Sequence, residues 1–387
     1  MRMRFSLKLL STALATVALL TVLAASTATA QTFTSLYSFT GSPDGAEPYA
    51  GVIMDKSGAL YGTTYTGGSG SGTVYTFAKG TETLLYTFTG GADGGGPFAA
   101  LVMDSKGNLY GTTVAGGSGY GTVFAVNPTT KKETVLYTFT GGADGALPFS
   151  GLLLDAKGNL YGTTEDGGSG YGTVYKVNIK TKKETVLYSF AGGTDGELPL
   201  YGNLIADSKG NLYGTTVAGG STGNGTVWEV SPKGKEKILY NFCPVTGCAD
   251  GTGVFEQSLA MDPSGNLYGT TEEGGASGTG TVFKLNPKTG KEKVLYSFTN
   301  GADGGFPSSG LVRDSKGNLY GTTQIGGTGD GVVFEVTGTK ETVLHSFDGT
   351  DGSNPFTSPL IDEKGTLYGT TYLGGASGDG TIYSLKP

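Results

Sequence analysis

Two pairs of adjacent carboxylates occupy equivalent positions in repeated segments of the chain. Glu165 and Asp166 follow one copy of the sequence LYGTT, and Glu272 and Glu273 follow another. Two carboxylates that flank a glycosidic bond can act as general acid and as base or nucleophile when their separation is suitable. Ordinary solvated loop charge is the simpler interpretation, since acidic side chains are mostly exposed. Glu165 and Glu272 are therefore the candidates if the protein is an enzyme, and loop charge is the favoured alternative.

A second set of carboxylates consists of one aspartate before a glycine in each of seven loops. Its members are Asp44, Asp93, Asp144, Asp195, Asp250, Asp303 and Asp351. A ring of such groups could bind Ca²⁺, which takes six to eight oxygen ligands and accepts backbone carbonyls among them. An Asp-Gly pair also makes a tight turn, in which Asp caps its own loop and Gly takes a positive φ. Because the pair recurs in every repeat, the turn is favoured. No cofactor is therefore expected, and Ca²⁺ is the alternative.

Aromatic and histidine side chains offer fewer chemical options. Tyr120 and Tyr171, each in the loop sequence GGSGYG, are candidate platforms for stacking a sugar or, alternatively, packing contacts between repeats. These loops do not predict a phosphate site, because a strand follows instead of a helix and no lysine is near. His345 is the only histidine and replaces a tyrosine of the other repeats. We interpret it as a core substitution and assign no catalytic residue.

Two cysteines, Cys243 and Cys248, are separated by four residues in the longest of the aspartate loops. Their spacing fits neither a redox CxxC motif nor a zinc site, and no other cysteine could complete one. The sequence therefore predicts a local disulfide, worth about 2 kcal/mol on the chain-entropy account for so short a loop.

The first thirty residues have the pattern of a secretory signal peptide. A basic start is followed by an apolar run over residues 9–25 and by small residues up to Ala30, where cleavage is predicted. An uncleaved membrane anchor is the alternative, but the apolar run is short for a bilayer span. No later segment is apolar enough to cross a membrane. We expect a mature chain that starts at Gln31 and is secreted, periplasmic or held at the cell surface.

The charge of the mature chain excludes some partners. Loss of the three basic residues of the leader takes the formal charge from −7 to −10. Nucleic acid is not expected to bind, because its affinity comes from clustered cations. The expected partners are instead a polysaccharide or an extracellular protein.

A tandem repeat of about fifty residues organises the whole mature chain. The tyrosines of its LYGTT motifs are 48 to 55 residues apart: Tyr61, Tyr110, Tyr161, Tyr213, Tyr268, Tyr320 and Tyr368. One period contains four short runs with strand and hairpin signals: residues 151–155, 159–164, 172–177 and 184–190. Seven such units predict an all-β, seven-bladed propeller over residues 31–387, with four antiparallel strands per blade. A β-solenoid is the competing repeat architecture.

The chain ends predict how the ring closes. The strands of a blade are called a, b, c and d from the axis outward. The mature chain opens with a lone d strand, predicted over residues 35–39, and finishes after a c strand, predicted over residues 380–385. The N-terminal strand is therefore expected to complete the seventh blade and remove both open edges.

The repeat resembles a known family. LYGTT, then GG, GTVF and ETVLYSFTGGADG, resembles the GloVer tandem repeat of exported bacterial proteins, and is also similar to kelch and NHL propeller repeats. The resemblance implies a propeller and an exported protein. It implies no particular activity, since the family is defined by its repeat sequence.

The loops and the turns are expected to differ in charge. The d-to-a loops (such as residues 88–101) and the b-to-c loops (such as residues 114–121) should lie on one face, here called the loop face. They contain 17 of the 33 Asp and Glu residues and none of the Lys and Arg residues. A negative face repels anions and favours neutral polyols or cations. The favoured function is a non-catalytic exported binding or scaffold propeller, with polysaccharide as the candidate ligand. A carbohydrate-active enzyme and a purely structural component are the alternatives.

Overall fold

The computed structural model describes residues 31–254 and 258–387, which form seven four-stranded antiparallel sheets. The predicted signal peptide lies outside these residues. Helical structure within them is limited to the 3-10 turn Gly193–Asp195. The strands are β1 (Thr32–Ser38), β2 (Ile53–Met54), β3 (Leu60–Thr64), β4 (Thr73–Ala78), β5 (Thr81–Thr87), β6 (Val102–Met103), β7 (Leu109–Thr113), β8 (Thr122–Asn127), β9 (Lys132–Thr138), β10 (Leu153–Leu154), β11 (Asn159–Thr164), β12 (Thr173–Asn178), β13 (Glu184–Ser189), β14 (Ile205–Ala206), β15 (Leu212–Thr216), β16 (Thr226–Val230), β17 (Glu236–Asn241), β18 (Ala260–Met261), β19 (Leu267–Thr271), β20 (Thr281–Asn286), β21 (Lys291–Ser297), β22 (Val312–Arg313), β23 (Leu319–Thr323), β24 (Val332–Thr337), β25 (Lys340–Ser346), β26 (Leu360–Ile361), β27 (Leu367–Thr371) and β28 (Thr381–Lys386).

The fold is the predicted seven-bladed β-propeller, and the solenoid alternative is wrong. Blade 1 is β2 to β5, and each later group of four consecutive strands forms the next blade up to β25. Blade 7 joins β26, β27 and β28 to the N-terminal β1. The ladder between β1 and β28 runs from Thr32 opposite Lys386 to Ser38 opposite Thr381. This pairing closes the ring as predicted.

The inner strands are shorter than the sequence predicts. Strand a of blade 3 is predicted over residues 151–155, whereas β10 contains only Leu153–Leu154. Just before it, the Ser150 hydroxyl accepts a hydrogen bond from the Thr163 N–H (2.9 Å) and donates one to the Thr163 carbonyl (3.1 Å). A side chain thus replaces the backbone ladder near the axis. The preceding residues are left free to line the central channel.

The repeated heptapeptide builds the hairpin between strands a and b. In blade 2, the Asp104 carboxylate accepts hydrogen bonds from the Lys106 N–H (2.8 Å), the Asn108 N–H and side-chain amide (both 2.9 Å), and the Tyr110 hydroxyl (2.9 Å). Gly107 closes the turn at a φ of 83°. Burial opposes ionisation of Asp104, but these hydrogen bonds outweigh it and lower the pKa of the carboxyl. One aspartate therefore organises the turn, the asparagine and the tyrosine together.

The two threonines that end the motif donate their hydroxyl hydrogen bonds to residues outside the hairpin, as with Thr112 and Thr113. The first of them reaches the next blade, as in the hydrogen bond from the Thr112 hydroxyl to the Ser150 carbonyl (3.2 Å). The same bond crosses the closure point of the ring, from the Thr370 hydroxyl in blade 7 to the Ala50 carbonyl in blade 1 (2.9 Å). The corresponding bond is present in six blades, which gives a structural reason for the LYGTT sequence shared by all seven repeats.

The central glycine of the motif is required for steric reasons. A Cβ on Gly111 would lie 2.6 Å from Cζ of Phe124 in the neighbouring strand. We expect Gly111→Val to lower the free energy of unfolding by about 1–3 kcal/mol, because a packed core resists added volume. Chemical denaturation would measure the change. Addition of Phe124→Leu should recover part of the loss, and a fully stable Gly111→Val protein would contradict the steric explanation.

The hydrophobic core is divided into layers between adjacent blades. One layer joins Tyr110, Val123 and Phe139 of blade 2 to Leu160 and Tyr175 of blade 3. Equivalent layers unite other neighbouring blades. The contact between two blades is called a seam below.

Six seams contain the same polar group of three side chains. In one of them, the Tyr86 hydroxyl donates to Asp93 (2.9 Å), and Glu133 of the next blade lies near both. Burial and then the charge of Asp93 raise the pKa of Glu133 to about 7. Oε1 of each such glutamate is buried without a hydrogen-bond partner among the described residues. The six glutamates are Glu82, Glu133, Glu184, Glu236, Glu292 and Glu341.

These glutamates predict that the protein is more stable at weakly acidic pH than at neutral pH. Their pKa rises from 4.5 to about 7 on folding, so the folded state binds more protons. Their stabilisation is full below the unfolded pKa and is lost as pH rises through the folded value. Aspartates with a lowered pKa, such as Asp104, have the opposite effect: the stability that they contribute is lost as pH falls through their folded pKa. We expect Tm to be highest near about pH 5 and to fall by several degrees towards about pH 8.

Scanning calorimetry across this range would test the pH profile. Glu133→Gln and Glu184→Gln should each flatten the slope, because amides do not titrate. A Tm that rises from weakly acidic to neutral pH would contradict the role of the seam glutamates.

Candidate functional site

The loop face brings the two kinds of long loop together. In blade 1, Ala46 of the d-to-a loop and Thr66 of the b-to-c loop exchange backbone hydrogen bonds of 3.1 and 3.2 Å. Equivalent bridges join Gly95 to Ala115 and Ser353 to Leu373 in other blades. The antiparallel order a, b, c and d places both loops at the same end of each blade. The acidic, cation-free loops of the sequence therefore share one face.

Each of the seven aspartates that precede a glycine in the d-to-a loops lies within its own turn. The Asp144 carboxylate accepts hydrogen bonds from the Tyr137 hydroxyl (2.9 Å), the Thr140 N–H (2.8 Å) and the Thr140 hydroxyl (2.6 Å). Although burial opposes ionisation, these bonds lower the pKa of Asp144. A tyrosine hydroxyl also donates to five others: Asp44, Asp93, Asp195, Asp250 and Asp303. Asp351 instead contacts His345.

These contacts match the turn interpretation. Within residues 31–254 and 258–387, no group of three or more His, Cys, Asp or Glu side chains is placed to hold a metal ion. The carboxylates are separated, one to a blade, and each accepts at least one hydrogen bond within its own turn or from the preceding strand, although Oδ1 of Asp250 has no partner among the described residues. The calcium ring stays a hypothesis, taken up below.

A cluster of aromatic side chains surrounds the loop-face end of the central channel. Its members are Tyr49, Tyr65, Phe98, Phe149, Tyr201, Phe356 and Tyr372. Tyr49 stacks between Tyr372 and Phe98, at centroid distances of 4.2 and 4.5 Å. Phe98 continues the cluster to Tyr201 (5.1 Å) and Phe149 (5.4 Å). All seven rings are partly exposed, and we call them the aromatic mouth.

Proline and glycine position the aromatic mouth. Pro148, just before Phe149, packs on Gly121 of the preceding blade, where a Cβ would lie 2.7 Å from the proline Cδ. Pro48, Pro97 and Pro355 make the same contact in other blades. Blade 4 carries one additional residue here, and Tyr201 adopts a φ of 55°. This places its ring 5.0 Å from Phe149.

The aromatic mouth opens onto a cavity of about 320 Å³. The cavity is lined by the segments that lead into the inner strands, including residues 49–53, 98–102 and 356–360. Asn203 and Ser258 provide polar atoms on its wall, and the Asn203 N–H donates to the Ser258 hydroxyl (3.0 Å). An apolar, aromatic recess with few polar groups is the usual form of a ligand site.

The acidic candidates Glu165 and Glu272 occupy the same position in their repeats as the mouth residues Tyr65 and Tyr372 do in theirs. Tyr65, Glu165, Glu272 and Tyr372 all follow LYGTT directly, and each donates its backbone N–H to the d-to-a loop of its blade. Asp166 and Glu273, one residue further, are exposed. Glu165 and Glu272 lie in blades 3 and 5, which are not neighbours.

Both inner glutamates have raised pKa values. Burial raises the pKa of Glu165, and the charge of Asp166 adds to the effect. Burial likewise raises the pKa of Glu272 together with the charge of Glu273, although a hydrogen bond from the Gln324 amide (3.3 Å) opposes the shift. These carboxyls are partly desolvated acceptors beside the mouth.

Tyr120 and Tyr171 are exposed platforms further from the axis. Their side chains are 43% and 39% exposed. Each ring rests on a glycine of the next loop, since a Cβ on Gly141 or Gly192 would lie 2.5 or 2.7 Å from it. The Tyr120 carbonyl accepts the Leu147 N–H (3.0 Å), two residues before Phe149. The platforms are therefore adjacent to the mouth.

The predicted disulfide between Cys243 and Cys248 is present in the loop after β17. His345 lies in a seam, where Nε2 is 2.7 Å from Oδ2 of Asp351. Neither is part of the mouth.

Sequence reasoning missed most of the mouth. A signal existed, because an aromatic residue follows proline at Tyr49, Phe98, Phe149 and Phe356. These residues precede the inner strands in separate repeats, and only ring closure brings them together.

The fold and the site define a closed, seven-bladed propeller with an aromatic mouth on an acidic face. The chain belongs to the Gloeobacter/Verrucomicrobia repeat family, whose model matches residues 21–170, 71–258 and 200–387. No curated protein matches the chain in sequence.

Solved structures of other propellers are similar in fold. One is the extracellular domain of a proposed hybrid two-component system from Bacteroides thetaiotaomicron, with 14% identity, a TM-score of 0.61, and coverage of 91% of this chain but 39% of that one. Another is oligogalacturonate lyase from Vibrio parahaemolyticus, with 13% identity, a TM-score of 0.56, and coverage of 92% and 97%. An oligogalacturonate lyase in complex with manganese has 14% identity, a TM-score of 0.54, and coverage of 92% and 96%. The chain thus spans about two fifths of the first protein, and all three show the fold alone.

A search of the described part of the chain for a helix long and apolar enough to span a membrane finds none.

Proposed function

We propose that this protein is an exported, non-catalytic binding propeller whose aromatic mouth takes a neutral polysaccharide. The observation that carries the proposal is the continuous aromatic cluster at the channel entrance, with Tyr49 stacked between Phe98 and Tyr372. Partly exposed aromatic faces pack well against the apolar C–H faces of sugar rings.

The charge of the loop face supports a neutral ligand. Its loops contain no lysine or arginine, so they offer no charged partner for a uronate, sulfate or phosphate. Glu165 and Glu272 beside the mouth are acceptors for sugar hydroxyls, and a negative field repels anionic chains. A neutral polyol fits both the aromatic rings and the carboxylates.

Tyr120 and Tyr171 extend the proposed site outward. They lie in adjacent blades, and hydrogen bonds to the Tyr120 and Tyr171 carbonyls link them to Leu147 and Leu198 near the mouth. A polysaccharide that occupied the mouth could continue across these rings. A long chain is therefore expected to bind more tightly than a short oligosaccharide.

Export is part of the proposal. A disulfide is stable in an oxidising compartment and rare in the cytosol, and Cys243–Cys248 is one. Strand β1 begins at Thr32, directly after the predicted cleavage site. Mass spectrometry of the protein from culture medium or periplasm should find Gln31 as the N-terminal residue; an intact leader would contradict cleavage.

Calcium can be tested separately. Since the loop aspartates are already bonded within their turns, as Asp144 shows, we expect the same Tm in chelator and in millimolar Ca²⁺. Differential scanning fluorimetry would measure it. A clear rise of Tm with Ca²⁺, lost in Asp144→Asn, would instead support the calcium ring.

An enzyme is the second candidate, favoured by the raised pKa values of Glu165 and Glu272. A carboxyl with a raised pKa keeps its proton to higher pH than usual, which suits a general acid in glycoside chemistry. Incubation with a polysaccharide panel separates the two proposals. Retention without turnover supports the binding protein, whereas turnover that is abolished by Glu165→Gln or Glu272→Gln supports the enzyme. If neither retention nor turnover were observed, the result would favour a purely structural component.

A further inference from the structure

One seam of the ring differs from the other six on both of its sides. Elsewhere a tyrosine and an aspartate of one blade face a glutamate of the next, as with Tyr86, Asp93 and Glu133. Between blades 6 and 7, His345 stands at the tyrosine position and Phe33 at the glutamate position. The N-terminal strand, which completes blade 7, contributes Phe33 to this seam.

The two exceptional side chains bind each other. The rings of Phe33 and His345 are stacked, with centroids 3.6 Å apart and planes within 5°. Phe33 also contacts Phe347 of blade 6 and Tyr383 of β28, both at 5.7 Å. On its far side His345 is held by Asp351, 2.7 Å from Nε2.

Strand β1 has a particular need for such contacts. The other six outer strands follow their c strand through a short turn, so chain connectivity keeps them in place. Strand β1 is tethered to blade 1 by residues 39–52, but 342 residues lie between Ser38 and Thr381 of its partner strand β28. Within blade 7, the ladder and the side-chain contacts of β1 hold it in place. A glutamate at residue 33 would instead place a carboxylate beside Asp351. In the other seams, the glutamate at this position has a raised pKa, as Glu133 shows.

We propose that the slot formed by β28 and the outer part of blade 6 is a strand-binding site that selects an aromatic side chain through His345. Its partner is the N-terminal strand of this chain, from the same molecule or, by exchange, from a second copy. Phe33 is the recognition residue, and His345, oriented by Asp351, is its platform.

Hydrogen exchange of the β1 amides in the mature chain tests the proposal. Phe33→Ala and His345→Ala should each speed exchange of residues 32–39 by about tenfold or more, because each removes the same stack. The double variant should exchange no faster than the faster single variant. His345→Tyr keeps an aromatic platform and should change little. Glu184→Ala, at the equivalent position of blade 3, faces Tyr137 and Asp144 of blade 2 and should leave the β1 amides unchanged.

A peptide experiment tests selection directly. A labelled synthetic peptide of residues 31–39 should bind the Phe33→Ala chain, whose own strand is loosened, and the same peptide carrying Phe33→Glu should not. Phe33→Leu, which keeps apolar volume without the stack, replaces Phe33→Ala if that variant fails to fold. Unchanged exchange in the single variants, fully additive effects, or equal capture of the two peptides would overturn the proposal.

Discussion

Deletion of residues 31–38 should abolish the folded monomer. The change removes β1, its ladder with β28 and the packing of Phe33, Leu36 and Tyr37 against two seams. Loss of a fully buried large side chain costs about 2–5 kcal/mol, and these three are partly buried. Together with the loss of the whole β1 ladder, the deletion approaches the stability of a typical domain, about 5–15 kcal/mol. The exposed edge of β28 would then pair with other chains. Size-exclusion chromatography and thermal melting would show oligomers or aggregate without a cooperative transition.

The control for this deletion is a chain that starts at Gln31 and lacks only the leader. It should be monomeric and melt cooperatively, since every described strand is present. A truncated chain that stayed monomeric with the Tm of the control would show that ring closure contributes little, contrary to the fold described here.

Tyr49→Ala should weaken polysaccharide binding by about tenfold or more. Tyr49 is the ring that joins Phe98 to Tyr372, so its loss removes one stacking surface and releases two others. Aromatic contacts of this kind are worth about 0.5–1.5 kcal/mol beyond area burial, and about 1.4 kcal/mol is tenfold in Kd. Isothermal titration calorimetry with the best ligand of a neutral panel would measure the change.

Two variants control for indirect effects at the mouth. Tyr49→Phe keeps the ring and should retain most of the affinity. Tyr171→Ala, on the outer platform, should weaken long chains while sparing short oligosaccharides. Equal affinity of Tyr49→Ala and the unsubstituted protein would remove the mouth from the proposal.

The architecture could be predicted because its signals are local and repeated. Hairpin turns such as Asp104 to Asn108 and the motif around Gly111 specify each blade from its own residues. The strand surplus at one chain end and the deficit at the other then predicted closure by β1. The inner strands were predicted too long, since the hydroxyl of Ser150 replaces part of the ladder, which no strand pattern reveals.

The candidate site was harder to predict because it is assembled from distant repeats. Tyr49 and Phe356 are 307 residues apart, yet their rings lie 5.8 Å from each other. The sequence presents the aspartates as a set, whereas the structure shows the hydrogen bonds that each makes within its own blade, such as those of Asp144 with Tyr137 and Thr140. The pairing of Phe33 with His345 likewise depends on which blade the N-terminal strand joins.

Affinity electrophoresis of the mature protein tests the central claim most directly. Native gels would contain a neutral polysaccharide, an anionic one such as polygalacturonate, or none. The aromatic mouth and the acidic loop face predict that at least one neutral polysaccharide retards the protein, that Tyr49→Ala relieves the retardation, and that the anionic polysaccharide has no effect. Retardation by the anionic polysaccharide alone, or by none of a broad neutral panel, would contradict the proposed function.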